Sequence, residues 1–254
     1  MVRVLAVADE VVAMLATDLV EQLRPDLILG AGDLPFDYLE ALTDRSGAPC
    51  VFVPGNHDSD LSGYRQTRAG WTLAGLPSDN PGPPGAINAD GRIVTAAGLR
   101  IAGLGGSIRY NNGPNQYAEV AQRRRAAALL RRHRWAGLRA RLRRRRDDGV
   151  DHPARHGVDI LLTHSPARGY GDGADGPHTG FGCLVDLVRA LRPQALVHGH
   201  IHPYGSTPQD LRISWSDAPD GSGDTLSLNT VGYTLFDITA GTGPIVIRRR
   251  RRGA

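Results

Sequence analysis

The chain has 254 residues, 41% hydrophobic and 22% charged, with a formal net charge of +4 and a pI near 9.4. No apolar run approaches the roughly 18 residues a membrane span needs, and Cys50 and Cys183, far apart and in no metal-like or redox-like spacing, do not make a disulfide framework and read as buried fillers. The length fits a single domain over residues 1–247 with a basic tail at 248–254, and the modest positive charge speaks to association with polyanions, not to fold.

The first apolar run, 2–8, starts almost at Met1 with no basic leader or small-residue cleavage site, so it reads as a buried strand and the cytoplasm is the expected compartment. Val12, Leu15, Leu19 and Leu23 then recur at helical spacing before Pro25. Runs rich in Val, Ile and Leu at 26–29, 50–53, 101–104, 159–162 and 195–197 have the length of further buried strands. Residues 76–91, dense in Pro, Gly, Asn and Asp, and 170–182, dense in Gly and Asp, read as loops.

In the arginine-rich segment 123–146, Trp135, Leu138 and Leu142 fall at i, i+3 and i+7, which predicts a helix with one packed face and its arginines in water. Leu184, Leu187, Val188 and Leu191 predict a helix stopped by Pro193. Past residue 225 only strand-like runs remain, at 225–228, 234–238 and 245–247, which predicts a second, mixed or antiparallel sheet, and the arginines at 248–252 read as a frayed tail. Strand and helix alternation elsewhere predicts an α/β fold with helices outside the sheets.

The polar residues that end the strands carry the chemistry. "VLAVAD" ends in Asp9, "LILGAGD" in Asp33, "VFVPGN" in Asn56, "ILLTH" in His164 and "ALVHGHIH" in His200 and His202. Carboxyl ends of strands in open α/β sheets share one edge, so these donors converge in one crevice. Carboxylate, amide oxygen and imidazole without thiolate suit Mn, Fe or Zn. His198 reads as a strand histidine satisfied by the backbone, and "GLGGS" lacks the glycine and opening helix of a dinucleotide loop.

The ordered "GD" at Gly32 and Asp33, "GNHD" at 55–58, "TH" at Thr163 and His164 and "GHIH" at 199–202 resemble the motifs of calcineurin-like metallophosphoesterases. That resemblance implies a four-layer αββα sandwich of two mixed sheets and a two-metal phosphoester hydrolase. It implies that Asp33 bridges two metals, that Asn56, His164 and His200 complete one site and Asp9 and His202 hold the other, and that His57 is the general acid while a metal-bound hydroxide attacks phosphorus.

The family usually carries a histidine two residues after the first aspartate, where this chain has Val11. Either water or Glu10 could take its place, but alternation along an extended chain turns Glu10 away from Asp9, so water is expected to fill the gap and the second metal to bind more weakly. The segment "GPHTGFGCLVDLVRALRPQALVHGHIHPYG" resembles a branch that includes class III cyclic-nucleotide phosphodiesterases, which points to a small phosphate ester or diester as substrate. Arg109, in the loop 105–117 with its backbone amides, and His178 are the expected substrate contacts. Two alternatives stay open: a nuclease guided by the basic helix, and a non-catalytic phosphate or nucleotide sensor.

Overall fold

The computed structural model of the protein describes residues 1–144, 157–203, 210–215, 223–241 and 243–251. Two six-stranded mixed sheets form its centre. The first runs in the order Val246–Arg251, Gly232–Ile238, Val2–Ala8, Leu27–Gly30, Cys50–Phe52, Ile87–Asn88, and the second in the order Leu211–Ser214, Asp224–Asn229, Ala195–His198, Ile160–Thr163, Leu99–Leu104, Ile93–Ala96.

Period-two alternation explains how each strand serves two layers. In Val2–Ala8 the side chains of Val4, Ala6 and Ala8 pack with Ile101, Ile160, Leu162 and Val197 of the other sheet. Leu5 and Val7 point the other way, onto Leu15, Val20 and Leu23 and onto Tyr38, Leu39 and Leu42 of the helix Phe36–Ser46. The second sheet repeats the pattern, with Ala102, Leu161 and Leu196 beneath Ala126 and Leu129 of the helix Glu119–Arg144 and Leu184, Val188 and Leu191 of the helix Gly182–Leu191. Helices, sheet, sheet and helices make the expected four-layer sandwich.

Four local expectations change. The spacing at Val12 to Leu23 yields a 3₁₀ turn, Ala13–Ala16, and a short α-helix, Leu19–Leu23, not one helix. Within 76–91 and just before it, Tyr64–Thr67, Gly70–Leu73 and Leu76–Ser78 pair as a small antiparallel sheet. The late strands do not form a sheet of their own: Asp224–Asn229 joins the second sheet, Gly232–Ile238 and Val246–Arg251 the first. Arg248 to Arg251 are therefore edge strand instead of frayed tail, with Arg248 bonded to Asp237 at 2.7 Å and Arg250 paired with Asp210; residues 252–254 lie outside the described residues.

The arginine-rich helix packs through Gln122, Ala126 and Leu129, whereas Trp135 is 61% and Leu138 46% exposed. No residue from Arg131 to Arg139 is buried, so the face predicted to pack is in solvent there. The side chain of Leu142 and residues 145–146 lie outside the described residues. Near the helix start, Arg125 bonds both oxygens of Asp90 at 2.6 Å, reaches the Gly105 carbonyl at 3.0 Å and lies 4.0 Å from the Tyr117 ring centroid. This clamp fixes the first glycine of the loop 105–117 against the sheet end.

Candidate metal centre

Val2–Ala8, Leu27–Gly30 and Cys50–Phe52 run parallel in one sheet, and Ile160–Thr163 and Ala195–His198 run parallel in the other. Their carboxyl ends therefore deliver Asp9, Asp33 and Asn56 from one layer and His164, His200 and His202 from the next to a common edge. The chain must turn sharply there. Asp9, Asp33 and His200 all adopt left-handed backbone, with φ of 58°, 57° and 68°, a conformation costly for residues with a Cβ and concentrated at functional sites.

Two glycines allow the close approach. A Cβ on Gly55 would stand 2.1 Å from Asp33 Oδ1, and one on Gly199 would stand 2.1 Å from Asp9 Oδ2. The Asp58 carboxylate locks the first of these turns by accepting the Asp33 and Gly55 amides at 3.0 and 2.8 Å.

Asp33, His164 and His200 bring one donor atom each within 4.8 Å of one another and form a group able to hold a metal ion. His164 Nε2 lies 3.3 Å from Asp33 Oδ2 and 3.0 Å from Asn56 Oδ1, while its Nδ1 is 2.8 Å from the Ala31 carbonyl. A ring N–H given to a carbonyl leaves the other nitrogen as the donor that faces a cation. His200 is held likewise, its Nε2 2.9 Å from the Pro177 carbonyl and its backbone amide donating to Asp9 Oδ2 at 2.9 Å. The His57 amide donates to Asp33 Oδ1 at 2.8 Å.

The charges of these side chains follow from this geometry. Burial would lower the His164 pKa, but the Asp33 carboxylate, with help from Asp9, raises it to about 9. Burial pushes Asp33 up, and His164 and His57 outweigh it, so Asp33 is held below its ordinary value. Asp9 is raised to about 6, by burial first, against the pull of His164. Burial, then the positive charge on His164, takes His200 down to about 4. A proton on His164 thus supplies the positive charge that a cation would bring.

His57 is exposed and borders a cavity of about 390 Å³ with Asp33, Phe36, Asp58 and Ser59. His178 pairs with Asp175 at 2.9 Å and its ring centroid lies 5.8 Å from that of His200. Arg109 is turned to the Gln116 carbonyl at 3.5 Å, and the residue of its loop that touches the donors is Tyr110, whose hydroxyl accepts from Asn56 Nδ2 at 3.1 Å. His198 is buried with Nδ1 3.2 Å from the Gly199 carbonyl, satisfied by backbone as expected.

Val11 is 43% exposed. Glu10 does not face away: its Oε1 lies 3.0 Å from His202 Nδ1. The alternation that predicted otherwise ends at Ala8, because left-handed Asp9 reverses the chain and the Glu10 amide returns to the Ala8 carbonyl at 2.6 Å. Tyr110 carried no sequence signal beyond its place near a motif.

A family model described as calcineurin-like phosphoesterase matches residues 8–204, more than three quarters of the chain. The chain belongs to the calcineurin-like phosphoesterase family. As a calcineurin-like phosphoesterase it is a hydrolase of phosphoesters and binds divalent metals. No curated protein matches it. The phosphoesterase is similar in fold to the crystal structure of TT1561 of Thermus thermophilus, at 14% identity and a TM-score of 0.53 over 93% of this chain and 94% of that one. A second crystal structure is similar at 13% identity and a TM-score of 0.52, over 98% and 99%. Among the described residues no helix is long and apolar enough to cross a membrane.

Proposed function

We propose that this phosphoesterase hydrolyses a small phosphodiester, such as a cyclic nucleotide, with two divalent cations, and that Mn, Fe or Zn serves. The observation that carries the reading is the meeting of Asp33, His164 and His200 from three strand ends and two sheets, within 4.8 Å. Bound cations would supply charge stabilisation for the phosphoryl oxygens and an activated water near neutral pH. Asp33, with its two oxygens facing different neighbours, would be shared by both cations, Asn56, His164 and His200 would complete one site, and Asp9 and His202 the other.

His57, exposed at the cavity rim with its backbone anchored to Asp33, would give a proton to the departing oxygen. His178, beside His200, and Tyr110, bonded to Asn56, would contact the ester, and Arg109 would join them only by leaving the Gln116 carbonyl. The two buried cysteines, both free, support a cytoplasmic location.

Proton displacement gives one expected result. With His164 raised to about 9, cation binding near pH 7 must remove the Nε2 proton. Apparent Mn(II) affinity should therefore rise with pH toward 9, by up to roughly tenfold per unit for one displaced proton. Asp9, at about 6, should deepen the loss of affinity below pH 6. Mn(II) titrations between pH 5.5 and 9 read this directly, and a flat profile would contradict it.

The function itself is tested with Mn-loaded protein against an aryl phosphodiester, an aryl monoester, cyclic nucleotides and single-stranded DNA. Turnover of the diester and of a cyclic nucleotide, little affected by salt, is expected. The nuclease alternative predicts polynucleotide affinity that falls steeply with ionic strength as counterions are released. Absence of turnover on every ester would leave the sensor.

A further inference from the structure

We infer that Glu10 is itself a ligand of the second cation, supplying the donor that Val11 cannot; the inference rests on the two-cation reading above. The chain doubles back at two places in the same way. At Asp9, φ is 58° and the Glu10 amide donates to the Ala8 carbonyl at 2.6 Å; at His200, φ is 68° and the Ile201 amide donates to the Gly199 carbonyl at 2.8 Å. Three-residue turns of this kind reverse the chain within a single residue. The two turns are tied together, because the His200 amide donates to Asp9 Oδ2 at 2.9 Å.

Glu10, which closes the first turn, and His202, one residue beyond the second, consequently meet, with Oε1 3.0 Å from Nδ1. Neighbouring ligands on one ion, with bonds of roughly 2.0–2.2 Å at right angles, stand about 3 Å apart. The same spacing recurs in the first group, where His164 Nε2 is 3.0 Å from Asn56 Oδ1 and 3.3 Å from Asp33 Oδ2. Glu10 adds a carboxylate to the His202 imidazole, a hard, anionic donor pair suited to a divalent cation such as Mn(II), and Asp9, the residue before Glu10, is tied to the neighbouring turn through the His200 amide. Side chains of Glu10 and His202 remain 21% and 36% exposed, which leaves an entry path.

The competing role is positioning: Glu10 could only accept the His202 Nδ1 proton and orient the ring. Glu10→Gln separates the two, since it keeps length and an acceptor oxygen but removes the charge. The wild-type protein should bind two Mn(II) ions with a spin-coupled electron paramagnetic resonance signal. Glu10→Gln should bind one at wild-type affinity and the second more than a hundredfold more weakly, with the coupled signal lost. Anomalous diffraction from Mn-loaded wild-type crystals should find a Glu10 oxygen about 2.0–2.2 Å from the second ion. An unchanged melting temperature of metal-free Glu10→Gln would establish that the variant folds.

Two tight ions in Glu10→Gln, or a Glu10 oxygen more than 3 Å from the second ion, would overturn the ligand role and leave the two-cation reading intact. A wild-type protein that binds a single Mn(II) would overturn both.

Discussion

Replacing Asp33 by asparagine is expected to lower kcat/KM on the preferred ester by roughly a thousandfold, about 4 kcal/mol of barrier, while leaving the fold in place. Asparagine tolerates left-handed backbone, so the φ of 57° at this position is retained. Its amide oxygen can also still accept the His57 N–H that reaches Asp33 Oδ1 at 2.8 Å. What disappears is the charge that faces His164 Nε2 at 3.3 Å.

The metal-free variant offers a readout that does not depend on turnover. Asp33 is the main cause that raises His164 to about 9, against burial, which lowers it. Without that carboxylate the burial penalty dominates, and His164 should titrate far below its wild-type value by imidazole NMR. Loss of activity with an unmoved His164 titration would mean that Asp33 is not the charge this centre is built around. Full activity in the variant would remove Asp33 from the reaction altogether.

The same residue illustrates what a one-dimensional reading can reach. Asp9, Asp33, Asn56, His164 and His200 stood out because each follows a short apolar run, and parallel strands carry such run ends to one edge whatever the loops between them do. Alternation sets Glu10 aside for the opposite reason. Period-two reasoning holds only while the backbone stays extended, and a left-handed aspartate leaves no mark in sequence as a glycine would. Tyr110 escaped because reaching Asn56 from a loop depends on how that loop is pinned, here by Arg125 on the Gly105 carbonyl and Asn115 on the Gly55 carbonyl at 3.0 Å.

Elsewhere the pattern was visible and its meaning was not. Helical spacing at Trp135 and Leu138 identified a face, but spacing cannot say whether the sheet still lies beneath it, and past Leu130 it does not bury them. The late arginines read as solvated charge, yet a charged run can still be strand when a carboxylate waits on the neighbouring strand. Asp237 does so between Arg3 and Arg248, at 3.2 and 2.7 Å.

Gly199→Ala should be strongly damaging to the site that Asp9 is proposed to serve. The added Cβ would lie 2.1 Å from Asp9 Oδ2 and 2.5 Å from the Ala8 Cβ, far inside van der Waals contact. One obstacle is an ionisable side chain and the other belongs to a central strand buried in the intersheet core. Ala8 cannot move without disturbing the pairing of Val2–Ala8 with both neighbours, so Asp9 must rotate away and release the His200 amide it accepts at 2.9 Å. Overpacking of this kind costs about 1–3 kcal/mol of stability, readable by chemical denaturation. The larger effect should fall on function: a donor displaced by about 1 Å costs on the order of a hundredfold in rate, and the cation proposed for Asp9 and His202 should weaken first. If Gly199→Ala bound Mn(II) with wild-type stoichiometry and turned over normally, Asp9 would have to be free to move without consequence, and its place in the second cation site would fail.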